Sequence, residues 1–104
     1  EMAMDLKQGA SLNGLDPIVY VYALPAIDAI HRVVVGRDAI ITAGTDGKHM
    51  VGSLHYRGRA LDVRTRDLTA AKKQELRDAL ARGLGPGWDV VSEPTHIHIE
   101  YDPK

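Results

Sequence analysis

From Trp88 to Tyr101 the sequence reads WDVVSEPTHIHIEY, and this stretch decides the fold. Trp88 to Ser92 and His96 to Tyr101 are two runs of strand-forming residues, separated by a short turn that contains Pro94. So short a connection joins antiparallel strands. Along a strand, residues two apart share a face. His96, His98 and Glu100 therefore point one way, and Ile97 and Ile99 point the other, into a core. Gly85-Pro86-Gly87 is the turn that leads into this pair.

Working outward, Thr69 to Leu84 has helical spacing, with Leu76, Ala79, Leu80 and Leu84 on its inner face. Gly83 or Gly85 ends it. Arg59 to Arg64 alternates and predicts a strand, as does the shorter Ala39 to Ala43. Gly44 to Gly52 is a polar loop with three glycines. A longer helical pattern starts at Asp16, an N-cap followed by Pro17 in the first turn, and runs to Gly36. Pro25 lies within it and predicts a kink or two shorter helices. Residues 1–15 are a mixed surface lead-in. The order is helix, strand, strand, helix, strand, strand. This predicts an α+β domain over residues 1–104: a small antiparallel sheet with two main helices packed on one face.

A chain of 104 residues fits one domain. The apolar share of 44% and charged share of 26% are those of a globular protein. A net charge of −1 argues against nucleic acid or an anionic membrane as the main partner. No apolar run approaches the ~20 residues that span a bilayer, and no basic start precedes an apolar stretch as in a signal peptide. Cysteine is absent, which excludes disulfides, thiol catalysis and thiolate-held metals. Any metal must be held by His, Asp or Glu.

Four of the five histidines, His49, His55, His96 and His98, fall between residues 49 and 98. On the strand from Arg59 to Arg64, Ala60, Asp62 and Arg64 share a face, and Leu61 and Val63 share the other. If the two polar faces are continuous, Asp62 meets His98 or His96, and His55 curls over the same point. Two imidazoles and one carboxylate form a three-ligand zinc set with a fourth position left for water. Glu93 opens the turn into the histidine strand, where it is a candidate general base. The plainer reading of a lone His-x-His is a solvated face. His31 reads as a helix-surface residue. His49, in the glycine loop, is a candidate substrate contact. Arg57, Arg59 and Arg64 are either solvated surface or a cluster for an anionic group such as a terminal carboxylate.

Ser53-Leu-His55-Tyr-Arg57-Gly58-Arg59-Ala60-Leu-Asp62 has the form S-x-H-x-x-G-x-A-x-D. It resembles the zinc motif of the D-Ala-D-Ala carboxypeptidase family, in a wider group with lysostaphin-type endopeptidases and the hedgehog signalling domain. His96-Ile97-His98 matches that group's second motif, H-x-H near the C-terminus. The resemblance implies a hedgehog/D-Ala-D-Ala-peptidase-like fold and one zinc ion held by His55, Asp62 and His98. It makes Glu93 the general base and His96 the residue that stabilises the oxyanion or relays protons. Glu93-Pro-Thr-His96 also fits the E-x-x-H of the dipeptidase branch, which would make His96 the ligand. The complete H-x-H, and the His-Ile-Glu tail that resembles phage endolysins of this family, favour His98. Ser53 and Arg57 join His49 as substrate contacts.

The first functional expectation is a zinc-dependent peptidase. It would act as a monomer on peptidoglycan stem peptides at the bacterial cell wall, exported or phage-released, as a D,D-carboxypeptidase or L,D-endopeptidase. The alternative is a non-catalytic, hedgehog-like zinc domain that recognises a partner.

Overall fold

The computed structural model describes residues 4–8, 10–44 and 58–103. Its strands are β1 (Asp5–Leu6), β2 (Ile40–Ala43), β3 (Ala60–Arg64), β4 (Trp88–Ser92) and β5 (His96–Tyr101). Its α-helices are α1 (Leu24–Val35) and α2 (Ala70–Leu84). The fold is α+β, as the sequence predicts. The strands form one sheet in the order β1-β2-β3-β5-β4. The sheet is mixed: the predicted lead-in supplies β1, which pairs parallel with β2, while every other pair is antiparallel.

Alternation on β3 and β5 divides the sheet. Leu61 and Val63 pair with Ile99 and Ile97, and all four are buried. Ile41 extends this apolar layer, and Leu24, Ile27, Leu76 and Leu80 of the helices complete it. Burying each such side chain is worth about 1.5–3 kcal/mol. The chain has no Phe, and its apolar layer is anchored at one end by other aromatics: Trp88 stacks on Tyr22 at 6.1 Å and packs against Tyr101 at 5.0 Å. The Tyr22 hydroxyl donates to the Leu84 carbonyl at 2.9 Å, which ties the first helical segment to the end of α2.

The helical pattern from Asp16 resolves into two geometries. Ile18–Ala23 is a π-helical segment that runs directly into α1. At the join, the Leu24 N–H bonds to the Val19 carbonyl, five residues back. A wide turn here accommodates Pro25, which has no N–H to give and whose ring clashes with the carbonyl four residues earlier in a regular helix. Asp16 caps the start, its Oδ1 accepting from Ile18 N–H at 3.0 Å. The combined helix, Ile18–Val35, has a mean hydropathy of 1.6 and is long and apolar enough, by length and composition, to cross a membrane. Its inner face, with Val19, Ala23, Leu24 and Ile27, is part of the core described above. Gly36, at φ 87°, ends α1 in the left-handed conformation that glycine adopts without strain.

That inner face also carries His31, which the structure buries where the sequence reading placed it on the surface. Its position four residues after Ile27 puts it on the same helical stripe. Its Nδ1 donates to the Arg37 carbonyl at 2.8 Å, which satisfies one ring nitrogen without a charge. On α2, Thr69 Oγ1 accepts from Lys72 N–H at 3.1 Å and caps the helix. The Lys72 ammonium reaches the Val34 carbonyl at the end of α1, where the helix dipole favours a cation.

Candidate metal centre

The polar side of β3 and β5 follows from the same register. Asp62 pairs with His98, Arg64 with His96 and Ala60 with Glu100. Paired residues on neighbouring strands point to the same side, so Asp62, His96, His98 and Glu100 converge. His98 Nδ1 lies 2.9 Å from Asp62 Oδ1, and His98 Nε2 lies 2.6 Å from Glu100 Oε1. His96 Nε2 is 3.7 Å from Asp62 Oδ2, and its Nδ1 is 3.2 Å from the Thr95 hydroxyl. Asp62 therefore meets both histidines, His98 more closely.

The donor set fits zinc. Two ligand atoms on a tetrahedral zinc lie about 3.3 Å apart, given Zn–N and Zn–O bonds near 2.0 Å. The Nδ1 and Oδ1 atoms of His98 and Asp62 are already close to that spacing. Were Nδ1 to take a metal, Nε2–H would donate to Glu100. A carboxylate on the far nitrogen is what fixes the tautomer and ring orientation of a metal-binding histidine. The sequence reading could assign no such partner to His98; the period-2 spacing from His98 to Glu100 was the signal for it. Without metal, the hydrogen bond to Asp62 holds the His98 imidazolium above its usual pKa, partly offset by burial and reinforced by Glu100.

Glu93 sits just past β4. Its N–H donates to the His96 carbonyl at 2.8 Å, which carries the β4–β5 ladder one step beyond Ser92 and Ile97. Strand alternation then places Glu93 on the same side as His96 and Asp62. Val91, opposite His98, shares that side and is 46% exposed. Arg59 is engaged elsewhere: it pairs with Asp16 at 3.3 Å and lies over the Tyr101 ring. Arg64 stays at the site and lines a cavity with Asp62 and His96. The expected contributions of His55, Ser53, Arg57 and His49 lie outside the described residues. The other carboxylate group, Asp89, Glu100 and Asp102, gathers at the β4–β5 end.

The motif glycine has a structural reason. Gly58 adopts φ 72°, and a Cβ there would run into the backbone of Gly14, Leu15 and Asp16. Its carbonyl accepts from Asp16 N–H at 2.9 Å. This contact fixes the entry into β3, two residues before the buried Ala60 and four before Asp62.

A model of the Hedgehog amino-terminal signalling domain matches residues 28–100, well over half of the chain. Among curated proteins, Tiggy-winkle hedgehog protein of Danio rerio is 42% identical over 53 residues. Sonic hedgehog proteins of Danio rerio and Xenopus laevis are similar to the same degree over the same length. Each match covers 51% of this chain and 12% of the relative, so the chain corresponds to a small part of those proteins. These matches overturn two expectations. The relatives are hedgehog proteins, which removes the reading as a bacterial cell-wall hydrolase or phage endolysin. They also remove the peptidoglycan stem peptide as the partner. The misreading has a physical source, because a shared motif fixes residue types and their spacing but not what the surrounding surface meets.

Proposed function

The chain belongs to the Hedgehog amino-terminal signalling domain family, and from that membership we propose that it is a zinc-binding protein-recognition domain acting outside the cell. His55, Asp62 and His98 hold one zinc ion. Glu100 orients His98, and the surface around the metal docks a protein partner. The observation that carries this reading is the pairing of Asp62 with His98 across β3 and β5, with both His98 nitrogens facing carboxylates. Zinc supplies a fixed positive charge and a cross-link between the β3 approach and β5. His96 and Glu93 flank the ion, where they shape and charge the docking face.

Elemental analysis of the purified protein tests the ligand set. About one zinc per chain is expected in the wild type, lost in His98→Ala and Asp62→Asn and kept in His96→Ala. Zinc retained by His98→Ala but lost from His96→Ala would transfer the third ligand to His96. A wild type that takes up no zinc overturns the reading. The zinc-loaded protein is also expected to leave peptide substrates uncut. Zinc-dependent cleavage, lost in Glu93→Gln with the metal still bound, would make recognition the wrong description.

A further inference from the structure

We propose that the cavity beside Asp62 and His96 is a subsite for a carboxylate carried by the protein partner, held by Arg64, Arg66 and Lys7. The proposal rests on the protein-recognition reading above and specifies the chemistry that this surface recognises. The cavity holds about 210 Å³, and these five residues are among those that line it.

Three separate places in the chain bring the cations together. Arg64 stands opposite His96 in the β3–β5 register, on the side of Asp62. Arg66 follows two residues later. Lys7 comes from just beyond β1, and its backbone N–H donates to the Ile41 carbonyl of β2 at 2.9 Å. Arg32, Arg37, Arg59, Lys72 and Arg77 each pair with an Asp or Glu. Among the described residues, Lys7, Arg64 and Arg66 have no such partner, nor do Lys73 and Arg82 outside the cavity. Among the described residues Asp62 is the one acid on the wall, and its oxygens already face His98 and His96. Three cations thus face one committed carboxylate, and the cavity is left with a positive field that an incoming anion relieves.

An arginine fork matches a carboxylate through two parallel N–H···O bonds. A protein partner carries such a group on Asp, Glu or its C-terminus.

The test is an NMR titration of the ¹⁵N-labelled, zinc-loaded full chain with three short peptides. Acetyl-Gly-Glu-Gly-amide presents a side-chain carboxylate, acetyl-Gly-Gly-Gly free acid a terminal one, and acetyl-Gly-Gln-Gly-amide neither. At least one acid is expected to move the Arg64, Arg66 and His96 amides saturably while the glutamine peptide does not. The acid that binds identifies the source of the carboxylate. Arg66→Gln, at an exposed position outside the strands, is expected to weaken binding about tenfold, the scale of one charge-assisted contact. Arg64→Gln does the same from within β3. Acids that bind no better than the glutamine peptide overturn the proposal, as does unchanged binding in both variants. Inorganic phosphate or a sulfated disaccharide binding more tightly than both acids also overturns it and assigns the cavity to a polyanion. Zinc content is read on the same samples. Loss of carboxylate binding with zinc in place refutes the subsite alone, whereas absence of zinc from the wild type refutes the metal reading.

Discussion

His31 and His98 are two histidines whose protonation the fold biases in opposite directions. Burial holds the pKa of His31 below 6.5, partly offset by the hydrogen bond to the Arg37 carbonyl; the Arg37 charge lowers it further, while Asp67 and Asp28 raise it. His98 is raised, chiefly by Asp62. The sign of the pH effect at His31 follows. Above pH 6.5 the ring is neutral in both the folded and unfolded chain, and its packing contributes fully. As the pH falls below 6.5, the unfolded chain takes up the proton first, and stability drops until the pH passes the lowered folded value. Urea midpoints of the wild type and His31→Gln between pH 7.5 and 5.5 measure this. The wild type is expected to lose stability relative to the variant as the pH falls, by at most about 1.4 kcal/mol per pH unit for one proton. Parallel curves for the two proteins would show that the buried ring carries no linkage. His98 was legible in the sequence because its neighbours on the strand state its environment. The burial of His31 was equally local, on the stripe of Leu24 and Ile27, but one histidine on a helix also has a solvated alternative that only packing removes.

The segment that enters β3 shows how one residue governs an element. Gly58 combines a positive φ with contact against the backbone at Gly14, Leu15 and Asp16. Gly58→Ala meets both penalties: strain in the left-handed region, and a methyl group with only backbone to displace. Thermal unfolding is expected to show a loss of about 3 kcal/mol, with zinc binding weakened because the approach to Asp62 shifts. A loss below about 0.5 kcal/mol, the range of an ordinary surface substitution, would mean that the contact is not rigid. The elements themselves were largely readable. Trp88–Ser92 and His96–Tyr101 match the predicted strands, and α2, Ala70–Leu84, matches the helix predicted from Thr69 to Leu84, with Thr69 serving as its cap. Two elements were not. A strand of two residues, Asp5–Leu6, is too short to show a period and exists only because β2 offers an edge. The π-helical turn before Pro25 is the backbone's answer to a ring in the helix, where the sequence alone gave a kink or a break.

Across the whole molecule, the sheet separates two jobs. The helices cover one side and supply the core, while Asp62, His96, His98 and Glu100 stand on the other. This division was legible from period-2 alternation in β3 and β5. The cationic cavity was legible only in part. Arg64 lies within β3 and was marked as a candidate, but Lys7 joins it through β1 pairing at the far side of β2, and no local pattern reports so distant an approach. The same architecture sets what metal does for stability. A chain of this size buries a thin core, so a bound ion is a large share of its total. With the proposed ligand set, zinc would join His98 on β5 to Asp62 on β3 and to His55, and it would bind the folded state alone. At free zinc a hundredfold above the dissociation constant, the gain is about 2.7 kcal/mol. For a domain of about 100 residues that raises the Tm by on the order of 10 °C. Calorimetry with and without a chelator is expected to show this difference in the wild type and to show it vanish in Asp62→Asn, whose carboxamide is a poor zinc ligand. The variant separates metal from fold: Asp62→Asn should unfold near the chelated wild type. An Asp62→Asn Tm that still falls on chelation would place the stabilising ion elsewhere, with the acidic group at Asp89, Glu100 and Asp102 as the place to look.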